Sequence, residues 1–403
     1  MRTAKLFSYI PEPQPVKSDY LIAAHYYPGW KKGMAGLHNG FKDLVDYPER
    51  TPLLGYYDEE NPEVCDWEIK WAVEHGIGCF IYCWYRKREN VGHPVTVDDI
   101  RLSHAIHEAY FNCRFKKYMK FAIMWECDWG LIQDMDDLVN NLLPFWVENY
   151  FKDEQYMTID GKPVLYIYDW GNLLKKWGTL EKVAEIIETL HDKIKEYGFP
   201  GIHISGTHCT KDIYKHDGIK WVSLDKAKES GFDSMFQYCW EVYKDDLTET
   251  QYEEYLKTFM LDSQYVMDDQ IQKIKDRIAY DPYFCMYTAT CMRDSKPWFK
   301  VLGVNPRGSV MQMRLTPMEF KGLLIRFKEA IDTLPENSIG RKIVIIDNWN
   351  EWAEGHYVAP SLGTGFQYLE AIRDILTYRD NLPDYRVPEM LDMGPYDSFL
   401  DEI

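Results

Sequence analysis

Lys342-Ile-Val-Ile-Ile-Asp347 runs without a break into Asn348-Trp-Asn-Glu-Trp-Ala-Glu-Gly-His-Tyr357. The first six residues are an apolar, β-branched run of strand length, which predicts a buried β-strand. The next ten change character at once. Glu351 and Glu354 stand three residues apart, between Trp349, Trp352, Asn350 and His356, with Gly355 free to make a sharp turn. A core does not accept unpaired carboxylates. The strand must therefore end where these groups begin, and what kind of sheet it belongs to follows from the rest of the chain.

Working towards the N-terminus, the same strand-like pattern recurs seven more times. The runs are 20–27, 77–85, 120–126, 164–168, 202–206, 234–239 and 283–289, with 343–347 as the eighth. Helix-like stretches separate them: 62–75, 97–113, 136–151, 180–197, 219–230, a long 250–278 that a break could divide, and 316–333, with 365–376 last. Asp160-Gly161 predicts a tight hairpin ahead of the fourth strand. Strands alternating with helices imply parallel pairing through crossovers. Eight such units predict a single-domain (β/α)8 TIM barrel, with insertions in the βα loops and a barrel body over about 20–376. A doubly wound open sheet is the other solution, but its Gly-rich phosphate turn after an early strand is missing. The acidic, Pro-containing end from Asp380 is expected to be a surface strap or a disordered tail.

Composition narrows the partners. The 403 residues carry 46 Lys plus Arg against 64 Asp plus Glu, a formal net charge of −18. Such a balance disfavours nucleic acid and anionic membrane surfaces. No run of about 18 apolar residues predicts a membrane span. Nine cysteines, an odd number without a CxxC pair, predict neither a disulfide framework nor a zinc ribbon. A reducing, by default cytoplasmic, compartment is expected, or a periplasmic or secreted one if a leader precedes residue 1. Aromatic residues reach 15%, with 30 Tyr and 14 Trp.

In a (β/α)8 barrel the active site lies at the C-terminal ends of the strands. Polar and aromatic residues gather at those ends here. They are His25, Tyr26, Tyr27 and Trp30; Trp84, Tyr85 and Arg86; Trp125, Glu126, Asp128 and Trp129; Asp169 and Trp170; His208; Trp240 and Glu241; Arg293 and Asp294; and then Asn350, Glu351, Trp352, Glu354, His356 and Tyr357. Any single Trp could be packing, and Asp169 or Asp294 could be a cap or an ion-pair partner. His25, His208 and His356 have no HxH or HExxH spacing, so no metal is expected. Ser205 and Cys209 lack a nucleophile elbow. Paired carboxylates among rings point to acid/base chemistry on a sugar, with Glu351 and Glu354 as the catalytic candidates.

These residues resemble a known family. Trp349-Asn-Glu-Trp-Ala-Glu-Gly355 is similar to the signature of the glycoside hydrolase family 99-like proteins, which include WbsX-type proteins labelled as glycosyltransferases of polysaccharide gene clusters. His25-Tyr-Tyr-Pro-Gly-Trp30, Gly76–Tyr85 and Asp160–Val164 resemble three further elements in the same order. Two stretches depart from the pattern, Trp125-Glu-Cys-Asp-Trp129 and Met292–Trp298, so the family's sugar is not carried over. The resemblance implies a retaining endo-type glycosidase without a conventional enzyme nucleophile, acting on an oligosaccharide or polysaccharide; no cofactor is expected. Glu351 would assist attack by the substrate's own 2-hydroxyl, and Glu354 would serve as general acid and then base. It implies a raised pKa for Glu354 and an ionised Glu351. A sugar-nucleotide glycosyltransferase and a non-catalytic glycan-binding barrel are the alternatives. Substrate contact is expected from Tyr26, Tyr27, Trp30, Trp84, Tyr85, Trp125, Glu126, Trp129, Asp169, Trp170, Trp240, Asp294, Asn350, Trp352, His356 and Tyr357.

Overall fold

The computed structural model describes residues 9–33, 40–127, 132–207, 222–301 and 310–399. Asp128, Trp129, His208 and Cys209 lie outside the described residues.

The eight strand runs become one curled sheet. They are β1 (Leu21–Tyr26), β2 (Ile77–Arg86), β3 (Lys120–Glu126), β4 (Lys162–Tyr168), β5 (His203–Gly206), β6 (Ser234–Met235), β7 (Tyr287–Thr290) and β8 (Ile343–Asp347). Their spatial order is β6-β5-β4-β3-β2-β1-β8-β7, every neighbouring pair parallel. The two ends of this order meet at one parallel bridge between Met235 and Cys285, where Met235 N–H donates to Phe284 at 2.8 Å. Two short strands add antiparallel edges, Ile100–Arg101 on β2 and Thr158–Ile159 on β4. The sixth strand is shorter than expected and the seventh begins later. Past the end of β6 the chain carries Phe236 into the sheet interior. His25 and Phe236 lie 5.7 Å apart there, and Tyr166 meets Phe236 edge-on at 4.9 Å.

Local chemistry explains the boundaries. The first helix, α1 (Pro62–Glu74), is capped by the Asn61 side chain accepting from Glu63 N–H, with Pro62 at its first position, and stops at Gly76 at φ +97°. Asp160 and Gly161 both take positive φ, as the tightest hairpin turn demands. The long helical stretch is indeed broken. α2 (Glu249–Thr258) ends at Phe259 at φ +52°, and the Asp262 side chain caps α3 (Ser263–Tyr280). Thr316 and Glu319 form a reciprocal capping box at the start of α4 (Pro317–Ile331). The last helix, α5 (Gln367–Leu376), packs on α4.

The predicted helix over 97–113 is the largest departure. Its start folds instead as a turn and the Ile100–Arg101 strand, and only from about Ala105 does the chain coil helically. The tail is a strap. Asn381 donates to the carbonyls of Gln14 and Pro15, Tyr396 N–H donates to Leu54, and Phe399 packs edge-on against Phe41 at 5.3 Å. Among the described residues no helix is long and apolar enough to cross a membrane. The described cysteines are all free and buried.

Candidate active site

The chain leaves β8 at Asp347 and folds back on itself within ten residues. Asn350–Glu351 pairs antiparallel with His356–Tyr357, and Gly355 closes the turn at φ +71°. A Cβ on Gly355 would lie 2.4 Å from the Asp294 carbonyl, so only glycine fits. Asp294 N–H in turn donates to the Glu354 carbonyl at 2.9 Å.

The side chains of this hairpin divide into two sets. One set is tied inwards. Trp349 donates its indole N–H to Glu68 at 3.0 Å. Asn350 donates to Glu59 at 3.0 Å and accepts from the Tyr27 N–H at 2.8 Å. Trp352 donates to the Tyr57 hydroxyl at 3.2 Å. Tyr26 adds its hydroxyl to Glu68 at 2.8 Å, and Trp30 donates its indole N–H to the Asn350 carbonyl at 2.9 Å. Glu59 and Glu68 are both buried, and burial pushes both carboxyls up, Glu68 to about 8. At neutral pH Glu68 therefore holds a proton, and its neighbours see a neutral acid rather than a bare charge.

The other set faces the strand ends. Glu351 accepts from the Tyr238 hydroxyl at 3.4 Å, and Tyr238 accepts from the Asn348 amide at 2.7 Å. Cys83 lies among Tyr85, Tyr238, Glu351 and Glu126, and burial pushes its thiol up. Glu126 and Glu351 also act on Tyr85, as does Tyr27. Glu354 lies against His356 Nε2 at 2.8 Å, and His356 Nδ1 lies 2.7 Å from Asp347. Arg293 reaches to 3.7 Å from the same Glu354 oxygen and pairs with Glu241. His356 and Arg293 thus both stand at one oxygen of Glu354.

Glu351, Glu354, Tyr27, Tyr85 and Glu126 are thus brought together by four strand ends. Asp169 follows β4 at φ +47°, its carbonyl 3.5 Å from the Cys127 thiol. Several other residues expected at the substrate are held by partners within the protein. Trp84 and Trp125 face the helix layer and pack on Trp146 at 5.6 and 5.3 Å, because alternate strand residues point to opposite faces. Trp170 is fully buried against Phe232. Trp240 is buried beneath Arg277 and donates to the Thr288 carbonyl. Trp30, Tyr26, Asn350 and Trp352 are the inward anchors described above, and Tyr357 is buried against Trp352 at 4.4 Å. Asp294 is the partner of Arg50 at 2.7 Å, both 2% exposed. His356 has no exposed surface. Trp129 lies outside the described residues.

Sequence reasoning missed Tyr238, Asn348, Asp347, Glu59 and Glu68. Tyr238 had a signal, since its strand alternates Phe236, Tyr238 and Trp240. Glu59 and Glu68 had none, because a charged residue in a loop or helix reads as solvated. Among the described residues no group of three or more His, Cys, Asp or Glu could hold a metal ion.

Comparison with known proteins bears on this geometry. The model of the family described as glycosyltransferase WbsX matches residues 45–372. An uncharacterized protein WxcX of Xanthomonas campestris pv. campestris is 20% identical over 372 residues, covering 86% of this chain but only 47% of that protein, so the chain spans about half of its relative's length. The fold is similar to a glycoside hydrolase-like protein (TM-score 0.54, 15% identity, 92% of this chain and 98% of that one). It is also similar to a GH99 endo-alpha-mannosidase from Bacteroides thetaiotaomicron (TM-score 0.52, 14% identity, 95% and 97%).

Proposed function

This chain belongs to the glycosyltransferase WbsX family, and from that membership we propose that it is a glycan-processing enzyme, more narrowly a glycoside hydrolase on a closed (β/α)8 barrel. The Met235–Cys285 bridge supports closure. The hydrolase reading is carried by one observation, the division of residues 349–356 into buried anchors and two glutamates turned to polar partners. Fixing Trp349, Asn350 and Trp352 on Glu68, Glu59 and Tyr57 leaves little freedom to the backbone between them, and preorganised carboxylates are what glycosidic cleavage requires. Glu351 would draw the proton from the sugar's 2-hydroxyl as that oxygen attacks the anomeric carbon. Glu354 would protonate the departing oxygen and later take a proton from water. Tyr27, Tyr85 and Glu126 would line the sugar site. The likeness to a hydrolase fold is compatible with this, at an identity that speaks to fold alone.

The test is incubation with a panel of defined oligosaccharides and polysaccharides, reading released products, with Glu351→Gln and Glu354→Gln alongside. Released sugar that both variants fail to produce supports the proposal; full activity in both overturns it. The family's description favours a second reading, transfer from a sugar nucleotide. Consumption of a nucleotide sugar in the presence of an acceptor glycan, with no hydrolysis, would select it.

A further inference from the structure

His356 is completely buried, and each ring nitrogen has one partner: Nδ1 with Asp347 at 2.7 Å and Nε2 with Glu354 at 2.8 Å. No polar atom of the ring is left for a substrate. The groups facing it come from every element around it. Asp347 ends β8, where it stands in register with Thr290 of β7. Arg293, held by Glu241, approaches the shared Glu354 oxygen at 3.7 Å. Tyr238 meets the imidazole edge-on at 5.8 Å and carries Glu351 on its hydroxyl. His25 packs on Tyr238 from below, and burial lowers its pKa to about 3, so it is not a rival cation. Burial would also lower His356, but the charge and hydrogen bond of Asp347, then those of Glu354, outweigh it and push the ring up to about 10. An imidazolium here donates one N–H to Asp347 and one to a single oxygen of Glu354, which leaves the other Glu354 oxygen to carry a proton.

On the hydrolase reading above, we propose that His356, backed by Asp347, is the positioning residue that sets how readily Glu354 gives up its proton. As the glycosidic C–O bond breaks, the proton on Glu354 passes to the leaving oxygen and its bonding pair stays on the carboxylate. The new negative charge forms 2.8 Å from the His356 Nε2–H, which is already in place. His356 keeps both its protons throughout. In the second half the carboxylate takes a proton from water, and the same N–H fixes which oxygen remains for the substrate side.

The decisive measurement needs no substrate. In the wild-type protein, the 15N resonances of His356 should show both nitrogens protonated at pH 8; a ring that loses its proton below pH 7 overturns the proposal. With 13C-labelled glutamate, assigned through Glu354→Gln, the Glu354 carboxylate should titrate higher in His356→Gln and in Asp347→Asn by about one pH unit or more. An unmoved carboxylate in folded variants overturns it. The alkaline limb of kcat/KM should move up by the same amount, which loss of a merely structural contact would not produce. If titration moves but no glycan is cleaved, the electrostatic pairing stands and the hydrolase reading falls. If glycan is cleaved but neither titration nor limb moves, the pairing falls and the hydrolase reading stands.

Discussion

The indole N–H of Trp349 donates to the carboxyl of Glu68 on the first helix at 3.0 Å, far from any solvent. Trp349 also packs on Phe80 of β2 at 5.1 Å. The start of the hairpin that carries Glu351 and Glu354 is thereby fixed to α1 and β2 at once. Glu68 sits in a protein interior that pushes its pKa up to about 8, mainly by burial and then by the nearby Glu59.

A pH dependence of stability follows. The folded pKa of Glu68 lies above its unfolded value near 4.5, so the folded state binds the extra proton between these limits. Its contribution is complete below about pH 4.5 and is lost as the pH rises towards 8, by at most roughly 1.4 kcal/mol per pH unit. Urea denaturation from pH 5 to 8 should show falling stability that flattens in Glu68→Gln. A parallel decline in the variant would rule out Glu68 as the cause.

Removing the acid altogether should be costly. Glu68→Ala leaves the Trp349 N–H and the Tyr26 hydroxyl without their buried acceptor, a loss of about 1–3 kcal/mol for each unsatisfied group. Denaturant midpoints at unchanged slope would measure it, and Glu68→Gln should restore most of the difference.

Tyr238 passes the Asn348 amide's orientation on to Glu351. Tyr238→Phe should lower kcat about tenfold, roughly one positioned hydrogen bond in the transition state, while changing KM little. Steady-state kinetics on the best substrate decides this; an unchanged kcat would detach Tyr238 from Glu351.

Arg50 and Asp294 form an ion pair buried on both sides, beneath the Gly355 turn. Asp294→Asn or Arg50→Met leaves one buried charge without its partner and should cost about 3–5 kcal/mol. Thermal melting would show a fall of several degrees or more in either variant, and a stability equal to wild type would mean that water replaces the missing partner.

The outward tryptophans make a control. Trp84→Phe removes a ring packed on Trp146 and its bond to the Tyr150 hydroxyl, on the helix side of β2. Stability should drop while KM for any glycan stays within about twofold, since packing and binding act on different faces. A large rise in KM would put Trp84 back at the substrate.

Much of the architecture was legible in the chain because it is written in local patterns. Ile343–Asp347 is a buried strand by its branched apolar residues, Thr316 and Pro317 announce a helix start, and Asp160-Gly161 announces a hairpin. The same patterns located Glu351 and Glu354 at the end of a strand. Only the tertiary structure decided which neighbours those carboxylates have. Trp84, Trp125 and Trp240 looked like sugar-stacking rings because strand ends are readable in sequence, whereas the face a side chain takes depends on register to within one residue. Glu59 and Glu68 looked like solvated charges because burial depends on what folds over them. The partners of Glu354, Asp347 through His356 on one side and Arg293 on the other, converge through pairing of β8 with β7 and the turn at Gly355, and electrostatic coupling is set by that distance in space rather than by separation along the chain.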